Sequence, residues 1–133
     1  LKPGDIFVAL MGETDGHRFA AQAIEKGAAA SIVSKKPAEN NAPEKYVLVA
    51  DTTHALEDLG RYRRAQLKGK IIGLTGSVGK TSAKEMLKII LEDQGKTDAT
   101  SGNLNNHFGV PLTLANFSRD LDYAVVEMGM NHA

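Results

Sequence analysis

Apolar residues in this chain alternate between short continuous runs and stretches in which they recur at helical spacing. The run at residues 6–10 predicts a strand buried on both faces, as in parallel sheets. Further runs predict strands at residues 30–34 and 46–50, at Lys70–Leu74 and 96–99, and at Tyr123–Glu127. Turn-forming residues separate the runs, so each strand is expected to be short.

Between these runs, apolar positions spaced by three and four residues predict helices. They are expected near residues 20–27, at 53–67 after the capping residues Asp51 and Thr52, and at 110–117. Another helix begins near Gly79, and its predicted apolar face is formed by Ala83, Met86, Leu87, Ile90 and Leu91. Since strand and helix alternate throughout, the predicted fold class is α/β with parallel strand pairing.

Gly69 interrupts the helical pattern and predicts a domain boundary. We assign residues 1–68 to a small α/β domain and residues 69–133 to the start of a second domain with a mostly parallel sheet. The chain opens at Leu1 without a methionine and stops at Ala133, just past an apolar strand. We therefore expect it to be a piece of a longer protein.

The composition narrows the kinds of partner that this chain can have. Lys plus Arg equals Asp plus Glu, at 16 each, so no bulk positive field would attract nucleic acid and anion binding must be local. Cysteine is absent, which excludes disulfides and thiolate metal sites and fits a reducing compartment. No apolar run reaches the length of a membrane span, and no signal-peptide pattern opens the chain. We expect a cytoplasmic protein with no membrane span and no nucleic-acid partner.

The glycine-rich segment TGSVGKTS at residues 75–82, called here the phosphate loop, lies between an apolar strand and an amphipathic helix. Gly76 and Gly79 allow the backbone to curl so that successive N–H groups face an anion, and the helix dipole adds to the attraction. Lys80 can place its charge on the β- and γ-phosphates of a nucleotide, and the Thr81 hydroxyl can bind Mg²⁺. The general pattern expects glycine where this chain has Leu74, so the loop is a variant. The alternative interpretation is a glycine-rich turn with an exposed lysine.

A carboxylate that could complete a magnesium site is Glu127, at the end of the last apolar strand. Ligands of open parallel sheets bind beyond the carboxyl ends of the strands. There Glu127 could meet Mg²⁺ held by Thr81 and phosphate oxygens, because Mg²⁺ prefers one or two carboxylates together with phosphates. The alternative is a solvated acid at a strand end.

Several sequence blocks resemble a known family. The segment at residues 75–81 is similar to the variant phosphate loop of Mur ligases and folylpolyglutamate synthases. Blocks similar to Mur ligases are KPGDIFVAL at 2–10, DGH at 15–17, GNLNN at 102–106, GVPLT at 109–113 and VVEMGMN at 125–131. They follow the family's order over nearly the whole chain. The asparagine-rich block resembles most closely those Mur ligases that add a dipeptide.

This resemblance implies an ATP-dependent ligase of peptidoglycan precursor synthesis. ATP would phosphorylate the terminal carboxylate of UDP-N-acetylmuramoyl-tripeptide, and the amine of D-alanyl-D-alanine would attack the acyl phosphate. Lys80 and Glu127 would be catalytic, and Thr81 and Glu127 would bind Mg²⁺. Residues implied in ATP binding are Gly76, Ser77, Val78, Gly79, Lys80, Thr81 and Ser82. Residues implied in substrate binding are Asp15, Gly16, His17, Asn103, Asn105 and Asn106.

Some alternatives stay open at this stage. His17 could make only a local hydrogen bond, and the three asparagines could build turns and cap the next helix. His107 stands where the family often has an acidic residue, and we assign it no role. We expect a monomer, and we expect this piece alone to be inactive because the family's later segments lie outside it. Other candidate functions are a nucleotide kinase, a GTPase-like protein, or another Mur ligase or folylpolyglutamate synthase relative.

Overall fold

The computed structural model describes residues 1–37 and 42–129, so the end of the 125–131 block lies outside the described residues. In the described ranges, strands and helices alternate and every strand-to-strand pairing within a sheet is parallel. The α/β fold class predicted from the hydrophobic pattern is therefore confirmed. The chain divides into two compact units, Leu1–Ala55 and Leu56–Ala133, and the domain boundary at Gly69 stays a prediction.

The first unit is a three-stranded parallel sheet with a short helix. Strands β1 (Ile6–Val8), β2 (Ala30–Val33) and β3 (Tyr46–Leu48) lie in the order β1-β2-β3, and helix α1 (Ala20–Glu25) precedes β2. Its core cluster consists of Ala9, Ala20 and Val33, with Phe7 and Tyr46 packed against it.

The prediction that residues 6–10 form a strand buried on both faces was wrong. The strand ends at Val8, and Ile6 is 52% exposed. The reason is the strand order, because β1 and β3 are the two edges of the sheet and only β2 has a neighbour on each side. An apolar run therefore identified the strand but not its place in the sheet.

The second unit is built around a second parallel sheet. Helix α2 (Thr52–Gln66), whose first four residues belong to the first unit, leads into β4 (Lys70–Leu74). The elements that follow are α3 (Lys80–Glu92), β5 (Thr97–Ala99), α4 (Gly109–Asn116) and β6 (Tyr123–Glu127). The strand order is β4-β6-β5, so β6 is central and its end lies beside the end of β4, with Leu74 paired to Glu127. The core cluster is Leu67, Phe117, Leu121, Ala124 and Val126.

The apolar face predicted for α3 is partly wrong. Met86 and Ile90 are 65% and 61% exposed, whereas Lys84 is buried at 2% exposure. Helix α3 packs against β5 and β6 through a face that includes Lys84, because the ammonium finds a backbone carbonyl there. Side-chain polarity alone therefore gave the wrong rotation for this helix.

The cap of α2 is as predicted for one of its two candidate residues. The Asp51 carboxylate accepts hydrogen bonds from the N–H groups of Thr53 and His54, at 2.7 and 3.0 Å. Thr52 instead donates its hydroxyl to the carbonyl of Ala9, at 2.8 Å. Asp51 thus satisfies free N–H groups of the first helical turn, while Thr52 ties the helix start to the end of β1.

Gly69 allows a close backbone approach, and substitution there should destabilise the fold. A Cβ atom at Gly69 would lie 2.2 Å from the carbonyl oxygen of Leu121 and 2.5 Å from that of Asp122. Both are backbone atoms, so Gly69→Ala is expected to cost about 1–3 kcal/mol of unfolding free energy through overpacking. Urea denaturation measures this. Gly12→Ala is the matched control, since its Cβ would meet no atom within 4 Å; equal losses in both variants would contradict the contact argument.

Candidate functional site

The phosphate loop follows β4 directly and passes into the first turn of α3. Gly79 has φ 78° and ψ 1° at the N-cap of α3, and Gly76 has φ 153°. No atom lies within 4 Å of a Cβ built at Gly79, so backbone conformation alone favours glycine there. Since α3 begins at Lys80, the free N–H groups of its first turn lie at the loop, where an anion can bind.

Lys80 is bound within the same loop. Its ammonium Nζ donates a hydrogen bond to the carbonyl oxygen of Gly76, and the contact is partly buried. The positive charge is thereby held beside the N–H groups at the helix start. A site with this combination favours a multiply charged anion such as a nucleotide polyphosphate.

Glu127 is a buried carboxylate that meets the loop. It is 2% exposed, Thr81 Oγ1 donates to its Oε2 at 3.3 Å, and Asn105 Nδ2 donates to its Oε1 at 2.8 Å. Within residues 1–37 and 42–129, no cationic side chain forms an ion pair with this carboxylate. A buried carboxylate with neutral partners only is a group whose charge a bound cation would neutralise.

A cavity of about 350 Å³ brings these groups together, and we call it the phosphate cavity. It is lined by Ser77, Val78, Gly79, Lys80, Thr81, Ser82, Asn103, Asn105 and Glu127. Residues up to 50 positions apart in the chain thus share one site, because β4 and β6 pair in parallel and end at the same edge. Gly76 is the one predicted ATP-binding residue that does not line the cavity, and it is joined to it through Lys80.

The donor atoms in this cavity suit magnesium. A hydroxyl and a carboxylate oxygen converge on one point at Thr81 and Glu127. In the described part of the chain there is no group of three or more His, Cys, Asp or Glu residues able to enclose a metal ion. Mg²⁺ is commonly bound by one or two protein oxygens, with phosphates and waters completing the octahedron. The residues present therefore fit Mg²⁺ delivered with a nucleotide.

Two of the three predicted asparagines line the phosphate cavity, and the third caps a helix. Residues 101–106, called here the asparagine loop, connect β5 towards α4. Asn103 and Asn105 line the cavity, and the backbone carbonyl of Asn105 accepts from the N–H of Gly129 at 2.6 Å. The Asn106 side-chain oxygen instead accepts from the N–H of Gly109, at 2.7 Å. For Asn106 the capping interpretation is therefore supported by its contacts.

A larger cavity of about 700 Å³ adjoins the same loop. Its lining comprises Glu57, Gly60, Arg61, Asn105, Asn106, His107, Val110, Pro111, Leu114, Met128 and Gly129. Asn105 lines both this cavity and the phosphate cavity, so the two are neighbours within the second unit. Its charged groups include Arg61, which is already paired with Glu57 and with the adjacent Asp58 on α2.

The predicted substrate-binding residues Asp15, Gly16 and His17 form a tight turn in the first unit. The N–H of Ser34 donates to His17 Nε2 at 2.9 Å, so that nitrogen is an acceptor and Nδ1 carries the proton donated to Asp15 at 2.6 Å. These hydrogen bonds from the His17 backbone and ring lower the pKa of the Asp15 carboxyl. A Cβ at Gly16 would lie 2.7 Å from the carbonyl oxygen of Leu10, so the turn needs glycine. The local hydrogen-bond interpretation of His17 is thus supported, and its substrate role stays a prediction.

Two buried residues beside the phosphate cavity were missed by sequence reasoning. Lys84 donates to the carbonyl of Thr100 at 2.8 Å, and the Thr100 hydroxyl accepts from the N–H of Glu127 at 2.9 Å. The sequence did contain one indication that Lys84 lies near the site, because it comes three residues after Thr81 and so shares its helix face.

Across the two described ranges, no helix has both the length and the apolar character needed to cross a lipid bilayer.

Comparison with known proteins gives one consistent result. A model described as the Mur ligase family, catalytic domain, matches residues 1–64, and one described as the Mur ligase middle domain matches residues 74–133. The UDP-N-acetylmuramoyl-tripeptide–D-alanyl-D-alanine ligases of Rickettsia prowazekii and Escherichia coli are each 47% identical in sequence to this chain. Each match covers 99% of this chain and 29% of the relative's own length.

Solved structures agree with the sequence comparison. A crystal structure of MurF from Acinetobacter baumannii matches with a TM-score of 0.85 and 46% identity, over 98% of this chain and 29% of that one. The MurF ligase of Thermotoga maritima in complex with ADP matches with a TM-score of 0.83 and 34% identity, over 99% of this chain and 30% of that one. The chain thus spans a little under a third of the length of the proteins that it resembles.

Proposed function

The chain belongs to the Mur ligase family, and we propose that the protein containing it is an ATP-dependent ligase that joins D-alanyl-D-alanine to UDP-N-acetylmuramoyl-tripeptide. The observation that carries the proposal is the phosphate cavity, where Lys80, Thr81 and Glu127 meet. Relatives named for this reaction cover the whole chain, and one neighbouring structure holds ADP. In this proposal the reaction is cytoplasmic, and it supplies the peptidoglycan on which cell shape and division depend.

In the first step, a carboxylate oxygen of the tripeptide attacks the γ-phosphorus of ATP, and ADP leaves. The N–H groups of the phosphate loop and the Lys80 ammonium hold the phosphates and offset the charge on the transferring group. Thr81 and Glu127 hold Mg²⁺, which supplies further charge neutralisation when bound. In the second step, the dipeptide amine attacks the acyl carbon, phosphate leaves, and the nitrogen loses its proton.

The larger cavity offers a place for the peptide that is phosphorylated. An acceptor carboxylate has to reach the γ-phosphate, and Asn105 lines both cavities. We assign the larger cavity to the tripeptide end of the substrate, with Val110, Pro111 and Leu114 contacting its apolar parts. Asn103 and Asn105 would then stand at the junction with the reacting phosphate.

The remaining roles that we propose are based on the resemblance to the Mur ligase family. Asp15, Gly16 and His17 would contribute to a UDP-sugar site in a domain formed by residues 1–68, and residues 69–133 would begin the ATP-binding domain. The remaining length of the relatives would complete the enzyme, so this piece alone is expected to be inactive. We propose a monomer.

Turnover by the full-length protein tests the proposal. With ATP, Mg²⁺, UDP-N-acetylmuramoyl-tripeptide and D-alanyl-D-alanine, we expect ADP, phosphate and the pentapeptide product in equal amounts. Omitting either peptide substrate is expected to abolish product and leave only a low background of ADP release. Chromatography of the nucleotide and the muramoyl peptides measures both. ATP or GTP hydrolysis indifferent to the two substrates would contradict the ligase and favour a kinase or a GTPase-like protein.

A further inference from the structure

Lys84 is a charged side chain buried beside the phosphate cavity that the proposed reaction does not use. It is 2% exposed, and it lies on α3 three residues after Thr81. Its Nζ donates to the carbonyl oxygen of Thr100 at 2.8 Å and lies 3.1 Å from a carboxylate oxygen of Glu85. An ammonium is costly to bury, so these partners decide whether it can stay there.

Thr100 connects this lysine to the site. The residue directly follows β5 and opens onto the asparagine loop. Its N–H donates to the carbonyl of Val125 at 2.9 Å, and its hydroxyl accepts from the N–H of Glu127 at 2.9 Å. Thr100 therefore holds the backbone of Glu127 and fixes the root of the loop that carries Asn105.

The contacts form a closed ring that begins and ends on one helix. Thr81 on α3 donates to the Glu127 carboxylate, Glu127 donates its N–H to Thr100, and the Thr100 carbonyl accepts from Lys84, also on α3. We propose that Lys84 is a positioning residue that sets, through Thr100, the separation between the Thr81 hydroxyl and the Glu127 carboxylate. The inference rests on the proposed function, because those two oxygens matter as magnesium ligands.

A packing role alone does not explain a lysine at this position. An apolar side chain of similar length could fill the same space without burying a charge, and such replacements are often neutral or stabilising. What methionine cannot do is donate to the Thr100 carbonyl. Lys84→Met therefore removes the hydrogen bond that joins α3 to Thr100, together with the ion pair to Glu85, which is a neighbour on the same helix.

The test uses the full-length protein and a direct measure of metal binding. Mn²⁺ replaces Mg²⁺, the β,γ-imido analogue of ATP replaces ATP, and electron paramagnetic resonance gives the Kd of Mn²⁺. Lys84→Met is expected to raise that Kd roughly tenfold, the effect typical of groups that orient a metal ligand. Binding of the analogue in EDTA is expected to stay close to that of the wild type. Lys88→Met is the matched control, since Lys88 lies one turn further along α3 in a half-exposed pair with Glu92.

A double-mutant cycle then asks whether Lys84 acts through Thr100. Thr100→Val keeps the carbonyl but removes the hydroxyl that accepts from Glu127, and it should weaken Mn²⁺ binding to a similar degree. If Lys84 acts through Thr100, Lys84→Met should raise the Kd of Mn²⁺ by a much smaller factor in the Thr100→Val protein than it does in the wild type. Fully additive effects would overturn the proposal, as would a Lys84→Met protein that loses thermal stability but binds Mn²⁺ as the wild type does. If Lys84→Met does not fold, the shorter polar variant Lys84→Gln enters the same cycle.

This outcome can be separated from failure of the proposed function. Ligase turnover by the wild-type protein tests the reaction, whereas the Mn²⁺ titration compares variants without requiring turnover. A wild type that binds Mn²⁺ and the analogue but makes no pentapeptide would reject the ligase and leave the positioning role to be decided by the cycle.

Discussion

Glu127→Gln is expected to lower kcat/KM of the full-length ligase by at least about 100-fold at fixed Mg²⁺, because weaker binding of Mg²⁺ removes the several kcal/mol of transition-state charge stabilisation that a bound metal ion supplies. Glutamine has nearly the same shape, and its carbonyl oxygen can still accept from Asn105 Nδ2, as Glu127 Oε1 does at 2.8 Å. The fold should therefore survive, and the loss should come from the missing negative charge. Raising Mg²⁺ should restore part of the activity. Initial rates measured across a range of Mg²⁺ concentrations give the effect.

Glu92→Gln is the matched control for this substitution. Glu92 is an exposed carboxylate near the end of α3, and its partner is Lys88 at 3.8 Å. The control should keep the magnesium dependence of the wild type. If the Glu127→Gln enzyme also kept the wild-type magnesium dependence, Glu127 could not be a magnesium ligand.

Lys80→Met is expected to reduce kcat/KM for ATP by roughly 100- to 1,000-fold, the range found when one preorganised group that stabilises transition-state charge is removed. Methionine keeps most of the side-chain length but loses the charge and the hydrogen bond to the Gly76 carbonyl. The Lys80 ammonium is held at the Gly76 carbonyl within the loop, so it lies where the phosphates would bind. Steady-state kinetics with varied ATP separate an effect on KM from one on kcat.

Lys88→Met serves as the control, because Lys88 is a lysine of the same helix outside the phosphate cavity. It should leave the kinetics for ATP unchanged. A Lys80→Met enzyme with wild-type kcat and KM for ATP would show that the loop does not hold the nucleotide. Such a result would argue against the site as a whole.

The sequence was sufficient for those features that depend on neighbouring residues. Runs of apolar residues predicted the strands, and the change to helical spacing predicted the α/β class. The strand–loop–helix context of residues 75–82 predicted the phosphate loop, since Gly76 and Gly79 act through their own backbone angles. Even the meeting of Thr81 and Glu127 could be foreseen, because parallel strands end at one edge of a sheet.

Features that depend on residues far away in sequence could not be predicted from the local pattern. The exposure of Ile6 follows from the position of β1 at a sheet edge, and no pattern within the strand encodes that position. Asn105 and Asn106 are adjacent and chemically identical, yet one binds Glu127 and the other caps α4. Their roles differ because the loop path turns the two side chains towards different neighbours.

Local pattern by itself determined the alternation of elements, the phosphate loop and the acid at the end of the last strand, because these follow from the backbone preferences of adjacent residues. Tertiary structure alone decided which face of α3 is buried, why glycine is required at position 69, and that Lys84 lies inside. Each of these depends on a backbone group that lies far away in sequence, the carbonyls of Leu121 and Asp122 for Gly69 and that of Thr100 for Lys84. Hydrophobic periodicity contains no information about where such a carbonyl will be.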